Sequence, residues 1–164
     1  MDSIAIINGQ EQSNISIHNR NFQYGDGLFE TCVVKDNRIL LWDKHLFRLD
    51  EGCERLKIKN SDESIWLKDV KKALSLTSTK NCVVKLILSR GNSQRGYSYP
   101  DDISPVRIVI VSELRNVQSK KSFSLEYAES GYHSNPILAG IKHCNRIEQI
   151  LARASLKRDE AIMF

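Results

Sequence analysis

Two β-branched runs constrain this chain more than any other feature. Residues 83–88 (VVKLIL) and 106–111 (VRIVIV) have the apolar, branched character of well-buried strands. The loop between them holds Gly91, Gly96 and Pro100 together with Arg90 and Arg95. Loops carried on rigid scaffolds are where binding groups tend to sit. Upstream, Leu46, Leu49, Cys53 and Leu56 recur at helical spacing, with Asp43 as a reasonable N-cap. A second helical stripe, Trp66, Val70, Ala73 and Leu74, begins near Ser61 or Asp62 and ends near Leu76. Helices segregated between strands of this kind predict an α+β fold.

Shorter signals fill in the order. Residues 3–7 read as a strand ending at the turn dipeptide Asn8-Gly9, and Ile15-Ser16-Ile17 as a second strand. Residues 28–35 and 38–41 flank Asp36-Asn37 as a hairpin. The chain turns polar over residues 115–121, a linker candidate. This divides it into an N-terminal α+β domain, 1–117, and a second unit, 118–164. In the second unit residues 123–127 read as a strand. Ile147, Ile150, Leu151 and Ala154 read as the buried face of a helix. Residues 159–164 read as a strand being entered, so the second unit is expected to be incomplete and the protein to continue beyond Phe164.

An apolar fraction of 41% and a charged fraction of 27% are those of a soluble globular protein. No apolar run is long enough to cross a bilayer. The N-terminus lacks a basic region followed by an apolar core, so no secretion signal is expected. Cys32, Cys53, Cys82 and Cys144 show neither Cys-x-x-Cys pairing nor zinc spacing with His18, His45, His133 or His143. They read as reduced, buried thiols of a cytoplasmic protein with no metal. The net charge of +4 is spread among acids, and the aromatics do not interleave with a basic patch, which argues against nucleic acid. Attraction of an anionic small substrate fits the same charge, as does a solvated surface.

One lysine has unusual surroundings. Lys142 lies in Leu138-Ala139-Gly140-Ile141-Lys142-His143-Cys144-Asn145-Arg146, just before a helical pattern. On residue type alone it is a solvated amine. Three further stretches occur in order before it: FQYGDGLFET at 22–31, HLFRL at 45–49 and SRGNSQRGYS at 89–98. Together the four segments resemble the fold-type-IV pyridoxal-phosphate enzymes, whose members include D-amino acid and branched-chain aminotransferases, and most of all the aminodeoxychorismate lyases. The resemblance runs over essentially the whole chain.

The resemblance implies pyridoxal 5'-phosphate as cofactor and Lys142 as the lysine bonded to it. An ordinary lysine titrates near about 10.4, so a free catalytic amine has to be desolvated or set near other positive charge. It implies that Arg48 holds the cofactor phosphate, a task for which a planar fork is suited. The plain alternative for Arg48 is a surface ion pair with Asp50 or Glu51. Arg95 is open to two readings, a substrate-carboxylate ligand or a solvated loop arginine, and Tyr97 is either a hydrogen-bonding or a packing ring. Arg90 reads as structural. Gly25-Asp26-Gly27 reads as a tight turn that places Phe29 and Thr31 near the cofactor, with Phe29 as core or site wall and Thr31 as a proton donor. His45 and His143 read as hydrogen-bonded structural histidines.

The activity so implied is conversion of 4-amino-4-deoxychorismate to 4-aminobenzoate and pyruvate, a folate-synthesis step, by a homodimer. The alternatives are an aminotransferase of the same fold and a non-catalytic dimerising fragment. The resemblance also implies that the acid facing the pyridine nitrogen lies past residue 164.

Overall fold

Two-residue turns set the edges of the main sheet. Asn8 and Gly9, at φ 46° and 80°, join β1 (Ile4–Ile7) to β2 (Gln10–Glu11). Asp36 and Asn37, at φ 50° and 62°, join β3 (Gly27–Lys35) to β4 (Arg38–Ile39). Positive φ at both central residues gives the turn whose twist matches antiparallel strands. The strand expected at Ile15–Ile17 does not form. Gln10 and Glu11 take the pairing directly after the first turn, and Ile15 and Ile17 are left 41% and 70% exposed.

The computed structural model describes residues 3–114, 122–128, 135–154 and 156–163. They fall into two compact units, Met1–Leu114 with Gly140–Cys144, and Arg115–Ala139 with Asn145–Phe164. The first unit is a six-stranded antiparallel sheet, ordered β2-β1-β6-β5-β3-β4, in which β5 is Cys82–Ser89 and β6 is Val106–Glu113. A short helix, α1 (Arg20–Tyr24), precedes β3. The longer α2 (Trp42–Leu56) packs on β3, and α3 (Glu63–Ser75) packs on β1 and β6.

Leu46, Leu49 and Cys53 of α2 and Trp66, Val70 and Ala73 of α3 are buried with Leu28, Cys32, Val34, Val84, Leu86, Leu88, Val109 and Val111 of the sheet. This is a two-layer α+β core, as the fold class requires. Gly52 marks its closest approach, since a Cβ there would lie 2.7 Å from Leu28 Cδ2. Asp43 is not the cap of α2. Leu41, left-handed at φ 54°, turns the chain straight out of the β3–β4 hairpin, so the helix starts at Trp42 and Asp43 lies in its first turn.

In the second unit β7 (Leu125–Tyr127) pairs in parallel with β8 (Glu160–Ile162), beside α4 (Ile147–Ala154). The apolar face expected of α4 is not buried. Ile147, Ile150 and Leu151 are 57%, 60% and 55% exposed, whereas Ala152 is enclosed. The described residues of this unit offer one two-stranded sheet, too little to cover two sides of a helix. The expected linker at 115–121 and Phe164 lie outside the described residues. Among the described residues no helix is long and apolar enough to cross a membrane.

Candidate active site around Lys142

Strand alternation sorts the residues of β3. Leu28, Glu30, Cys32 and Val34 point to the helical layer and are buried, while Phe29, Thr31 and Val33 occupy the other face. Residues 140–144 add a rung to the edge of this strand. The Phe29 N–H donates to Lys142 O at 2.9 Å, the Cys144 N–H donates to Gly27 O at 2.8 Å, and Leu28 faces His143 between them. Gly27 allows the close approach on the other side. A Cβ there would come 2.6 Å from Leu88 O and 2.8 Å from Asn21 Oδ1.

The Lys142 main chain is thus fixed on a core strand, and its half-buried side chain reaches the Phe29 face. Its Nζ lies 4.3 Å from the Phe29 ring centroid, a cation–π contact. Lys85, opposite Thr31 in the β3–β5 register, places its Nζ 5.0 Å from the same ring. Thr31 is exposed on the same strand face. Lys142, Phe29, Thr31 and Lys85 therefore converge, all within the first unit. The lysine is on an extended rung, and the helix after it starts only at Ile147.

Arg48 faces the opposite side of β3. Its Nε and Nη2 donate to Glu30 Oε1 and Oε2, both at 2.6 Å, and His45 Nδ1 meets Oε2 at 2.7 Å. Neither Asp50 nor Glu51 is the partner: Asn60 takes Asp50, and Arg55 takes Glu51 at 3.8 Å. The reason is reach. A fork on α2 points down onto β3, where a wholly buried carboxylate can be satisfied only by directional donors. The Glu30 hydrogen bond and charge hold Arg48 above the usual guanidinium range, against the effect of burial. Burial, with the Glu30 charge adding and Arg48 opposing, pushes the Cys32 thiol up to about 12. The arginine is still 44% exposed and its bonds to Glu30 leave Nη1 for another acceptor.

Arg95 and Tyr97 are exposed on the β5–β6 loop, Tyr97 at 86%. The loop beneath them is tightly held. Buried Arg20 donates through Nε to Asp26 at 2.8 Å, through Nη1 to Ser93 Oγ at 2.9 Å and Gly96 O at 3.0 Å, and through Nη2 to Tyr97 O at 2.9 Å. Arg90 donates to the same Asp26 oxygen at 2.8 Å and to the carbonyls of Lys57 and Leu56 at 2.9 and 2.7 Å. Burial alone would raise Asp26, but the hydrogen bonds and charges of Arg90 and Arg20 hold it below the usual carboxylate range.

The sequence alone points to no role for Glu30, Arg20 or Lys85, or for the Asp26 side chain. A glutamate at an inward position of an alternating strand was the available signal for Glu30. Lys85 likewise interrupts an apolar run at an outward position. For the grip of Arg20 on the loop there is no local signal, since its loop partners are over 70 residues away.

Comparison with known proteins adds to this geometry. Residues 27–164 match the model of the amino-transferase class IV family. The chain is 32% identical over 160 residues to aminodeoxychorismate lyase of Vibrio harveyi, covering 94% of this chain and 57% of that protein. It is 31% identical over 98 residues to a bifunctional aminodeoxychorismate lyase / D-amino acid transaminase of Mycobacterium tuberculosis, over 56% of this chain and 33% of that one. The crystal structure of 4-amino-4-deoxychorismate lyase from Pseudomonas aeruginosa superposes with a TM-score of 0.88 at 34% identity, over 98% of this chain and 61% of that one. The chain thus spans under two thirds of the length of these relatives.

Proposed function

The chain belongs to the amino-transferase class IV family, with the fold-type-IV architecture, and on that premise we propose that it carries the working lysine of a pyridoxal-phosphate lyase. The reaction is conversion of 4-amino-4-deoxychorismate to 4-aminobenzoate and pyruvate, in folate synthesis. The observation that carries this reading is the seat of Lys142, whose main chain is bonded to β3 while its amine lies over Phe29.

The residues present fit such a cofactor. An amine held by its backbone, on a face lined by an aromatic ring, suits a planar heteroaromatic aldehyde. Bound pyridoxal phosphate supplies an electron sink. Lys142 would hold the cofactor covalently, and its amine would take the proton from the amine-bearing carbon of the substrate. Arg48 offers Nη1 to the phosphate while Glu30 fixes its fork. Phe29 forms a wall that excludes water. Thr31 is the proton donor to the departing pyruvate carbon, with Lys142 as the other group on that face. Lys85, Arg95 and Tyr97 receive the substrate carboxylates, to which the basic balance of the chain also draws it. The protein acts as a homodimer in the cytoplasm, with residues 1–117 as the N-terminal domain and 118–164 contributing to the cofactor domain.

The test is borohydride reduction in the presence of pyridoxal phosphate, followed by peptide mapping. Label is expected on Lys142 and absent from Lys142→Ala. Label on another lysine, or near wild-type turnover by Lys142→Ala, sinks the assignment. Similarity to a bifunctional relative keeps transamination as a second reading. A product assay separates the two, because only the lyase releases 4-aminobenzoate.

A further inference from the structure

We infer that Arg20 is a positioning residue for substrate, acting by closing the loop that presents Arg95 and Tyr97; this rests on the reading that the loop binds substrate. Arg20 is 3% exposed, an unusual place for a guanidinium unless every donor is used. Apart from the bond to Asp26, its side-chain hydrogen bonds go to the loop, to Ser93 Oγ and to the carbonyls of Gly96, Tyr97 and Ser98. Three nearby carbonyls can converge on one group only if the chain wraps around it. The segment is rich in Gly and Ser and forms no helix or strand, so the guanidinium takes the place of a regular hydrogen-bond ladder.

Rings complete the seat. Tyr24 lies 5.1 Å from the Arg20 guanidinium, and its hydroxyl accepts from the Gly96 N–H at 3.2 Å. Tyr99 covers Arg90 at 4.1 Å and Arg20 at 5.3 Å. Asp26, shared by both arginines, balances charge and ties the assembly to the turn before β3. Through Arg90 it is tied also to the end of α2, the helix that bears Arg48. The loop is therefore gripped by its main chain. The Arg95 side chain is left outside, and the Tyr97 ring, 86% exposed, meets Tyr24 edge-on with ring centroids 5.7 Å apart. A lysine at position 20 keeps the charge but cannot span these acceptors, because it lacks the planar fork.

The experiment compares wild type with Arg20→Lys and with Ser93→Ala, which removes one acceptor on the loop side. Native-state trypsin cleavage after Arg95, followed by mass spectrometry, reads loop opening without any cofactor. Cleavage is expected to quicken about tenfold in Arg20→Lys and less in Ser93→Ala, because proteolysis follows the opened population. In kinetic assays KM for substrate should rise about tenfold with kcat within about twofold, since weakened positioning acts on binding. Borohydride labelling of Lys142 should be unchanged. Unaltered cleavage in both variants overturns the inference, and so does quickened cleavage with an unaltered KM. Should Arg20→Lys fail to fold, Ser93→Ala decides alone by the same measures. Absence of label on wild-type Lys142 would remove the proposed function, yet leave the cleavage result to judge the grip of Arg20 on the loop.

Discussion

Removing Arg48 would leave Glu30, wholly buried, facing only the His45 ring. Breaking a buried ion pair from one side costs roughly 3–5 kcal/mol. Arg48 is itself 44% exposed, so water screens part of the interaction, and we expect Arg48→Ala to lose ~2–3 kcal/mol in urea unfolding without cofactor. Cofactor affinity should fall as well, by about tenfold or more if a charge-assisted phosphate bond of ~1.5–3 kcal/mol is lost. A loss of stability with unchanged affinity would reduce Arg48 to a support for Glu30. The cysteines give a second residue-scale expectation. Burial pushes Cys32 and Cys53 up to about 12, whereas Cys144 is half-buried. The thiolate is the reactive form, so iodoacetamide should label Cys144 first in the native protein, and cofactor should slow it because Lys142 is two residues away. Equally fast labelling of Cys32 would contradict its burial.

At the scale of elements, the seam between α2 and β3 is set by Gly52 against Leu28. Gly52→Ala gains up to ~1 kcal/mol of helix propensity but forces a Cβ to 2.7 Å from Leu28 Cδ2. Overpacking costs about 1–3 kcal/mol, so the variant should be less stable, and Leu28→Ala in the same chain should recover part of the loss. The β5–β6 loop carries a pH signature. Asp26 is held below its ordinary 3.8, so the native chain stays ionised where an unfolded one takes up a proton. The contribution of Asp26 is full above the ordinary value and is lost as pH falls through the lowered native one. Hydrogen-exchange protection of the Gly96 amide, corrected for intrinsic rate, should be flat from about pH 7 to about pH 5 and fall only in stronger acid. Loss of protection already at about pH 5 would mean that Asp26 does not hold the loop.

For the molecule as a whole, the rung at Lys142 is made by main chain, so Lys142→Ala should keep its melting temperature within about 2 °C of wild type. A larger drop would mean that the amine supports the fold. Whatever rests on local pattern could be read before the structure: the β-branched cores of β5 and β6, the Asp36-Asn37 hairpin, the stripes of α2 and α3. Each is a periodicity or turn preference within about a dozen residues. What depends on a distant partner could not be read: Glu30 as the acceptor for Arg48, the grip of Arg20 on residues 93–98, the exposed apolar face of α4. The pairing of Leu28 with His143 is the extreme case, across about 115 residues. Synthesis proceeds at roughly 5–20 residues per second, so the edge of β3 at Gly27–Phe29 waits on the order of ten seconds for its neighbour. Every strand of the main sheet through β6 has been made by then. A nascent chain thus holds a nearly finished sheet with one gap at its border, open to any extended segment that arrives first.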